Sequence, residues 1–162
     1  MPYRAHKSNS HRRGNAFVEA GLVLVPFLAI VLGITEYSLA LFVRTTMQHA
    51  VREGVRYAVT YQLKGGMCHD ASIKEVVRTN AVGFLKPADV ATKVFVRYYL
   101  PTTFAAAPAP ANSPGNIVEI SVENYQWRWI APLWRTSTPL TIVARSTDIM
   151  EGLPGGANPP CR

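Results

Sequence analysis

Three residues that could form a catalytic centre follow one another directly in the sequence. Cys68, His69 and Asp70 supply the thiol, imidazole and carboxylate of a cysteine hydrolase. In such enzymes these groups normally converge from separate segments, so sequence neighbours are weak evidence for a nucleophile. The only other cysteine is Cys161, and disulfides persist in proteins outside the cytoplasm. We therefore predict a disulfide between Cys68 and Cys161 and no enzymatic activity.

The composition gives little support to metal or nucleic-acid binding. The 162 residues include 17 Lys and Arg and 10 Asp and Glu, and four of the basic residues lie in the first fourteen. The rest of the chain therefore has 13 basic and 10 acidic residues, a net charge of only +3. A basic groove for a nucleic acid should lie in the folded body and not in a short head. We therefore expect no nucleic-acid partner. We also expect no metal and no cofactor. The four histidines are too scattered for a metal site: they are His6, His11, His49 and His69.

A long apolar segment begins just after the basic head. The 28 residues from Ala16 to Val43 contain only two charged residues, Glu19 and Glu36. About 20 apolar residues cross a bilayer as a helix, whereas the apolar core of a signal peptide has only about 7–15. We therefore predict a transmembrane helix. The basic head favours a cytoplasmic N-terminus and an extracytoplasmic C-terminal domain, although arginines also follow the span.

Glu19 stands at an unusual place for a carboxylate. An acid at the centre of a membrane helix costs about 2.5–3.5 kcal/mol and less near the interface, and by default it has a partner and a function. The sequence Arg12 to Glu19 reads RRGNAFVE and resembles the site at which prepilin peptidase cuts type IV pilin-like proteins after glycine. Cleavage after Gly14 would create a cationic amine on Asn15, one helical turn before Glu19.

The following residues resemble the TadE-like family, minor pseudopilins of the tight-adherence pilus and secretion apparatus. The resemblance rests on four short motifs, which are Val18-Glu19, Leu24-Val25-Pro26, Glu36-Tyr37 and the segment REGVRYA at 52–58. It implies a bacterial cytoplasmic-membrane protein that takes part in pilus assembly, adhesion or secretion. The implied partners are prepilin peptidase, other pseudopilins and the proteins of the assembly platform.

Within the span, we assign the residues to processing or to helix packing. Gly14, Asn15 and Glu19 form the processing site, and Glu19 also pairs with an amine during assembly. Pro26 removes an intrahelical hydrogen bond, and the resulting bend either serves packing or is harmless. Glu36 and Tyr37 are also assigned to helix packing. Glu36 comes near the outer headgroups, where we expect a structural or interfacial role without a special partner.

Beyond the membrane the pattern predicts an α+β domain. An apolar stripe that includes Val43, Met47, Val51, Val55 and Val59 continues the helix to Gln62, before Gly65-Gly66. A capping-box pattern at 72–75 opens a second helix that ends before Pro87. Alternating apolar residues predict three strands at 93–100, 116–127 and 140–148, which form a small antiparallel sheet on the helix.

Two further segments have open interpretations. The Pro- and Ala-rich residues 101–115 read as an exposed loop, either a contact surface or a solvated connection. The three tryptophans, Trp127, Trp129 and Trp134, suit a partner hot spot, a membrane-interface belt or core packing, and we favour packing.

The complete division is a cleaved leader at 1–14, a transmembrane helix at 15–43, a helix extension at 44–64 and an extracytoplasmic α+β domain at 65–162. The predicted function is that of a minor pseudopilin. The alternative is an uncleaved single-pass membrane protein whose outer domain binds a ligand.

Overall fold

The computed structural model describes residues 10–130, 138–153, 155 and 157–162, with side chains from residue 16 onward. It confirms the predicted α+β architecture, in which one long helix carries two short helices and a three-stranded antiparallel sheet. Residues 1–9 of the predicted leader lie outside the described residues. The long helix, α1, runs from Ser10 to Val59 and is therefore about 75 Å long at 1.5 Å per residue.

The end of α1 differs from the sequence prediction. The helix ends at Val59 and not at Gln62, because Tyr61 takes a positive φ of 52° and its N–H donates to the carbonyl of Ala58 at 3.0 Å. A left-handed residue interrupts the helical backbone. The stop thus lies before the Gly65-Gly66 pair that was expected to cause it.

The second helix, α2, spans His69–Asn80, so it begins before the predicted capping box. Ser72 lies inside α2, and its hydroxyl accepts a hydrogen bond from the backbone N–H of Lys64 at 3.1 Å. The prediction that Ser72 caps α2 is therefore wrong, because Ser72 instead binds the preceding loop. Positive φ angles at Val82 and Gly83 follow the end of α2 and explain why the helix does not reach Pro87.

A third helix, α3, occupies Pro87–Lys93 and was not predicted. Proline suits the first turn of a helix because its missing N–H would have no helical partner there. The carboxylate of Asp89 accepts a hydrogen bond from the backbone N–H of Lys86 at 3.1 Å, which satisfies a donor before the helix. Pro87, expected to end one helix, thus begins another.

The strands are β1 (Val94–Tyr99), β2 (Ile117–Trp127) and β3 (Leu140–Ile149), in the spatial order β1-β2-β3. Both neighbouring pairs are antiparallel, and an irregularity of register lies between Val122 and Tyr125 in β2. Val118, Ile120 and Val122 are fully buried on one face. The alternation read from the sequence therefore correctly identified the buried face of β2.

The core forms where the sheet and α2 cover the outer part of α1. The predicted apolar stripe is buried from Val43 to Val59, together with Ala50 and Ala58 on the adjoining row. From the other side, α2 contributes Ile73 and Val77. Burial of one Val or Met side chain stabilises a fold by about 1.5–3 kcal/mol, so this stripe holds the domain to the helix.

The face of the sheet that points away from α1 carries a group of paired charges. Arg97 on β1 approaches Glu123 on β2 at 2.6 Å and Glu119 at 3.3 Å, and Arg145 on β3 lies 3.4 Å from Glu123. The hydroxyl of Ser121 also donates to Glu123 at 2.8 Å. The hydrogen bond from Arg97 is the main reason why the pKa of Glu123 falls to about 2. These pairs connect all three strands.

Candidate assembly surface on the long helix

The first part of α1 is apolar and is not covered by the rest of the fold. The apolar residues between Ala16 and Thr35 are exposed or half-exposed, for example Phe17 at 86% and Leu22 at 73%. Twenty helical residues span about 30 Å, which equals the hydrocarbon thickness of a bilayer. The described residues contain one helix that is long and apolar enough to cross a membrane, which fits a single-pass membrane protein.

The predicted processing residues lie at the beginning of this surface. Gly14 and Asn15 are part of α1, but their side chains lie outside the described residues. Glu19 is exposed on α1, four residues and about one turn beyond Asn15. A cationic chain end created at Asn15 would therefore lie near the carboxylate, either within one subunit or between neighbours.

Pro26 is exposed within the apolar segment, and α1 continues across it to Val59. Proline has no N–H, so the carbonyl of Leu22 lacks the donor that residue 26 would normally supply. In a membrane a freed carbonyl of this kind is satisfied by neighbouring groups.

Glu36 is the first buried residue along the described part of α1, and it has a partner that the sequence did not reveal. Its side chain is only 5% exposed, and its Oε1 accepts a hydrogen bond from the backbone N–H of Ile130 at 2.5 Å. The expectation that Glu36 needs no special partner is therefore wrong. Ile130, which follows β2, therefore lies against α1 at this level, and the carboxylate of Glu36 supplies the acceptor for its N–H.

Tyr37 lies beside Glu36 but points away from the core and is 60% exposed. It contributes to an open groove of about 360 Å³ between α1 and β3. The groove is lined by Tyr37, Ala40, Leu41 and Arg44 from α1 and by residues 140–143 from β3. This part of α1 remains accessible to another molecule even though its opposite side is covered by the domain.

Gly54 lies in the REGVRYA segment, where α1 packs closely against the domain. A Cβ atom at this position would lie 2.6 Å from Cγ2 of Val77 in α2 and 3.4 Å from Cδ1 of Ile120 in β2. Only glycine leaves space for both neighbours. Within the same segment, Arg52 and Arg56 are exposed, so the segment combines a packing position with a basic outer face.

The predicted disulfide is present and fixes the C-terminal tail. Cys68 and Cys161 are bonded across 93 residues, with their Cα atoms 5.0 Å apart. The backbone N–H of His69 also donates to the carbonyl of Cys161 at 2.7 Å. Because the sulfur of Cys68 is held in this bond, it is not the thiolate that the hydrolase alternative requires.

His69 and Asp70 serve the attachment of the tail. His69 is fully buried, and its Nε2 lies 3.2 Å from the carbonyl of Ala58. Burial lowers the pKa of His69, so the neutral ring donates to that carbonyl. The hydroxyl of Tyr98 donates to Asp70 at 2.8 Å, and Arg162 pairs with the same carboxylate at 3.1 Å. The supposed catalytic residues thus connect the end of α1, β1 and the chain terminus.

The tryptophans divide into different environments. Trp127 is half-buried and packs against the core, as favoured from the sequence. Trp129 is half-exposed beyond the end of β2, and Trp134 lies outside the described residues.

The sequence did not reveal the hydrogen bond from the backbone N–H of Ile130 to Glu36, because a main-chain donor leaves no signal in the residue types.

Comparison with known proteins identifies the N-terminal part of the chain. Residues 14–56 match the sequence model of the TadE-like protein family, which confirms the resemblance over this segment. The match includes Glu19, Pro26, Glu36 and Tyr37 and ends two residues after Gly54. The searches of curated proteins and of solved structures gave no match.

Proposed function

Because residues 14–56 are TadE-like, we propose that the protein is a minor pseudopilin of a tight-adherence pilus or of a related secretion apparatus. Its basic head stays in the cytoplasm, and its outer domain lies beyond the cytoplasmic membrane. The observation that carries the proposal is the family match over a helix whose mainly apolar residues 16–35 are exposed or half-exposed. The protein acts through lateral helix packing and has no catalytic role.

Processing places a cationic group near Glu19. Prepilin peptidase cuts after Gly14, and the new amine of Asn15 carries a positive charge at neutral pH. Glu19 lies about one turn away on an exposed part of α1. An ion pair with the amine of this subunit or of a neighbour offsets the cost of a carboxylate near lipid. Other pseudopilins and the assembly platform are then held by the same helix surface.

The N-terminus of the protein from its native host tests the processing step. We expect the mature chain to begin at Asn15, as shown by intact mass and N-terminal sequencing, and the full chain to accumulate in a strain without the peptidase. A functional protein that retains residues 1–14 would contradict the proposal. It would favour the alternative, an uncleaved single-pass protein with a ligand-binding outer domain.

Substitution of Glu19 tests the assembly step separately. Glu19→Ala removes the carboxylate, and we expect normal membrane insertion but loss of surface pili, scored by electron microscopy. Leu22→Ala is a suitable control because Leu22 is an exposed residue of the same helix, about one turn further on. Normal pili in the Glu19 variant would refute the pairing of Glu19 with an amine.

A further inference from the structure

The end of the sheet nearest the apolar segment of α1 carries large apolar and aromatic side chains beside an arginine. The β2–β3 ladder ends at the pair Trp127 and Leu140. The chain then continues through Arg128 and Trp129 to Ile130. We call the described residues 127–130 and Leu140 the lower edge of the sheet.

The position of the lower edge along α1 is fixed by one hydrogen bond. Ile130 donates its backbone N–H to Glu36, so the lower edge lies at the level of residue 36. Residues 16–35 of α1 are all exposed or half-exposed over about 30 Å of helix, and Glu36 is the first buried residue after them. Beyond this level exposed apolar side chains continue at Leu39, Leu41 and Phe42, but they alternate with residues buried against the domain. When α1 spans a bilayer, the lower edge therefore lies at the boundary between hydrocarbon and headgroups.

The side chains of the lower edge suit that boundary. Ile130 is 68% exposed and Leu140 is 39% exposed, while Arg128 is exposed and Trp129 is half-exposed. Tryptophan is enriched at membrane interfaces because its ring is apolar and its N–H is polar. Arginine beside it is attracted to anionic headgroups. The exposed ring of Tyr37 on α1 lies at the same level and extends this surface.

We infer that the lower edge of the sheet is a lipid-binding surface that rests in the outer headgroup layer of the membrane around α1. The occupant is the phospholipid interface, because this surface is continuous with the apolar segment of α1. Contact on two elements, α1 and the sheet, fixes the tilt of the domain relative to the membrane. The inference requires α1 in a bilayer but does not require processing or pilus assembly.

Fluorescence quenching by lipid tests the contact. The full-length protein is placed in vesicles of phosphatidylcholine and phosphatidylglycerol with Trp129 as its single tryptophan, after Trp127→Phe and Trp134→Phe. Lipids brominated near the headgroups should quench the emission of Trp129 strongly, because a ring in the interface contacts them. Acrylamide in the water phase should quench it weakly.

The loop after β1 provides a matched control. Phe104 is 70% exposed and lies beyond the opposite end of the sheet, about 33 Å away if ten residues of β2 separate the two levels. A tryptophan introduced by Phe104→Trp in a chain without the other three should be quenched by acrylamide and not by lipid. Equal lipid quenching at both positions, or equal acrylamide quenching, would overturn the inference.

A second probe keeps all three tryptophans in case their replacement disturbs folding. Ile130→Cys alters only an exposed side chain and leaves the backbone donor to Glu36 in place. A nitroxide on this cysteine should be relaxed by oxygen dissolved in lipid, whereas one at Phe104→Cys should be relaxed by a water-soluble nickel complex. The same relaxation pattern at both sites would refute lipid contact.

Dilution with lipid separates the bilayer from a second copy of the chain. Lipid contact predicts the same quenching at low and high protein density. Shielding of Trp129 from both bromolipid and acrylamide that disappears on dilution would indicate contact between copies and would overturn the inference.

Discussion

Replacement of Gly54 by alanine places a methyl group where α1 packs against α2 and β2 of the outer domain. The added Cβ would lie 2.6 Å from Cγ2 of Val77, whereas two non-bonded carbons prefer about 3.5–4.0 Å. Either the Val77 side chain or one of the two helices must therefore move by about 1 Å. Ile120, which would lie at 3.4 Å, restricts movement toward the sheet.

The expected loss combines two opposing effects. Overpacking of a core costs about 1–3 kcal/mol, whereas alanine is more favourable than glycine inside a helix by about 1 kcal/mol. Because Val77 and Ile120 are both fully buried, we take the cost near its upper limit. The free energy of unfolding of the domain should fall by about 1–2 kcal/mol.

Urea unfolding of the full-length protein in detergent, followed by near-ultraviolet circular dichroism, measures this loss. Gly21→Ala is the matched control, because Gly21 lies in the same helix and its added Cβ would meet nothing within 4 Å. It should not destabilise the domain. A Gly54 variant as stable as the wild type would refute the packing argument.

A double-mutant cycle identifies the contact responsible. Val77→Ala removes the Cγ2 atom that the new methyl group would meet, and alone it should cost about 2 kcal/mol by leaving a cavity. The double variant should lose about 1 kcal/mol less than the sum of the single losses. Strict additivity would show that Gly54→Ala acts elsewhere.

Two further predictions concern the tail and the sheet. Replacing both Cys68 and Cys161 with serine should lower the free energy of unfolding by about 2–4 kcal/mol, because the bond closes a long loop. Thermal unfolding with and without reductant measures this loss. An unchanged Tm of the variant would contradict the prediction. Glu123→Gln should cost about 1 kcal/mol at neutral pH after allowance for solvent screening. The lowered pKa of Glu123 stabilises the fold above its ordinary value of 4.5, and this contribution is lost as the pH falls toward about 2. Urea titrations at pH 7 and near pH 2 should therefore show a difference between wild type and variant only at the higher pH, and a constant difference would argue against the role of the Arg97 pair.

The boundaries of the helices show where local patterns stop being informative. Pro87 can end one helix or begin another, and only the packing of the chain decides between them. Ser72 and Glu75 match a capping box, but in the structure Ser72 bonds to Lys64 of the preceding loop. The end of α1 depends on the backbone angle at Tyr61, which side-chain type does not predict for a tyrosine.

Residue type, spacing and the presence of only two cysteines were enough to predict the long apolar helix, the buried stripe, the three strands, the disulfide and the TadE-like segment. Tertiary structure alone decided the partner of Glu36, the need for glycine at position 54 and the role of His69 and Asp70 in holding the tail. These features join residues far apart in the chain, and two of them involve backbone N–H or C=O groups that every non-proline residue carries. Such groups acquire a specific role only when folding places a particular neighbour beside them.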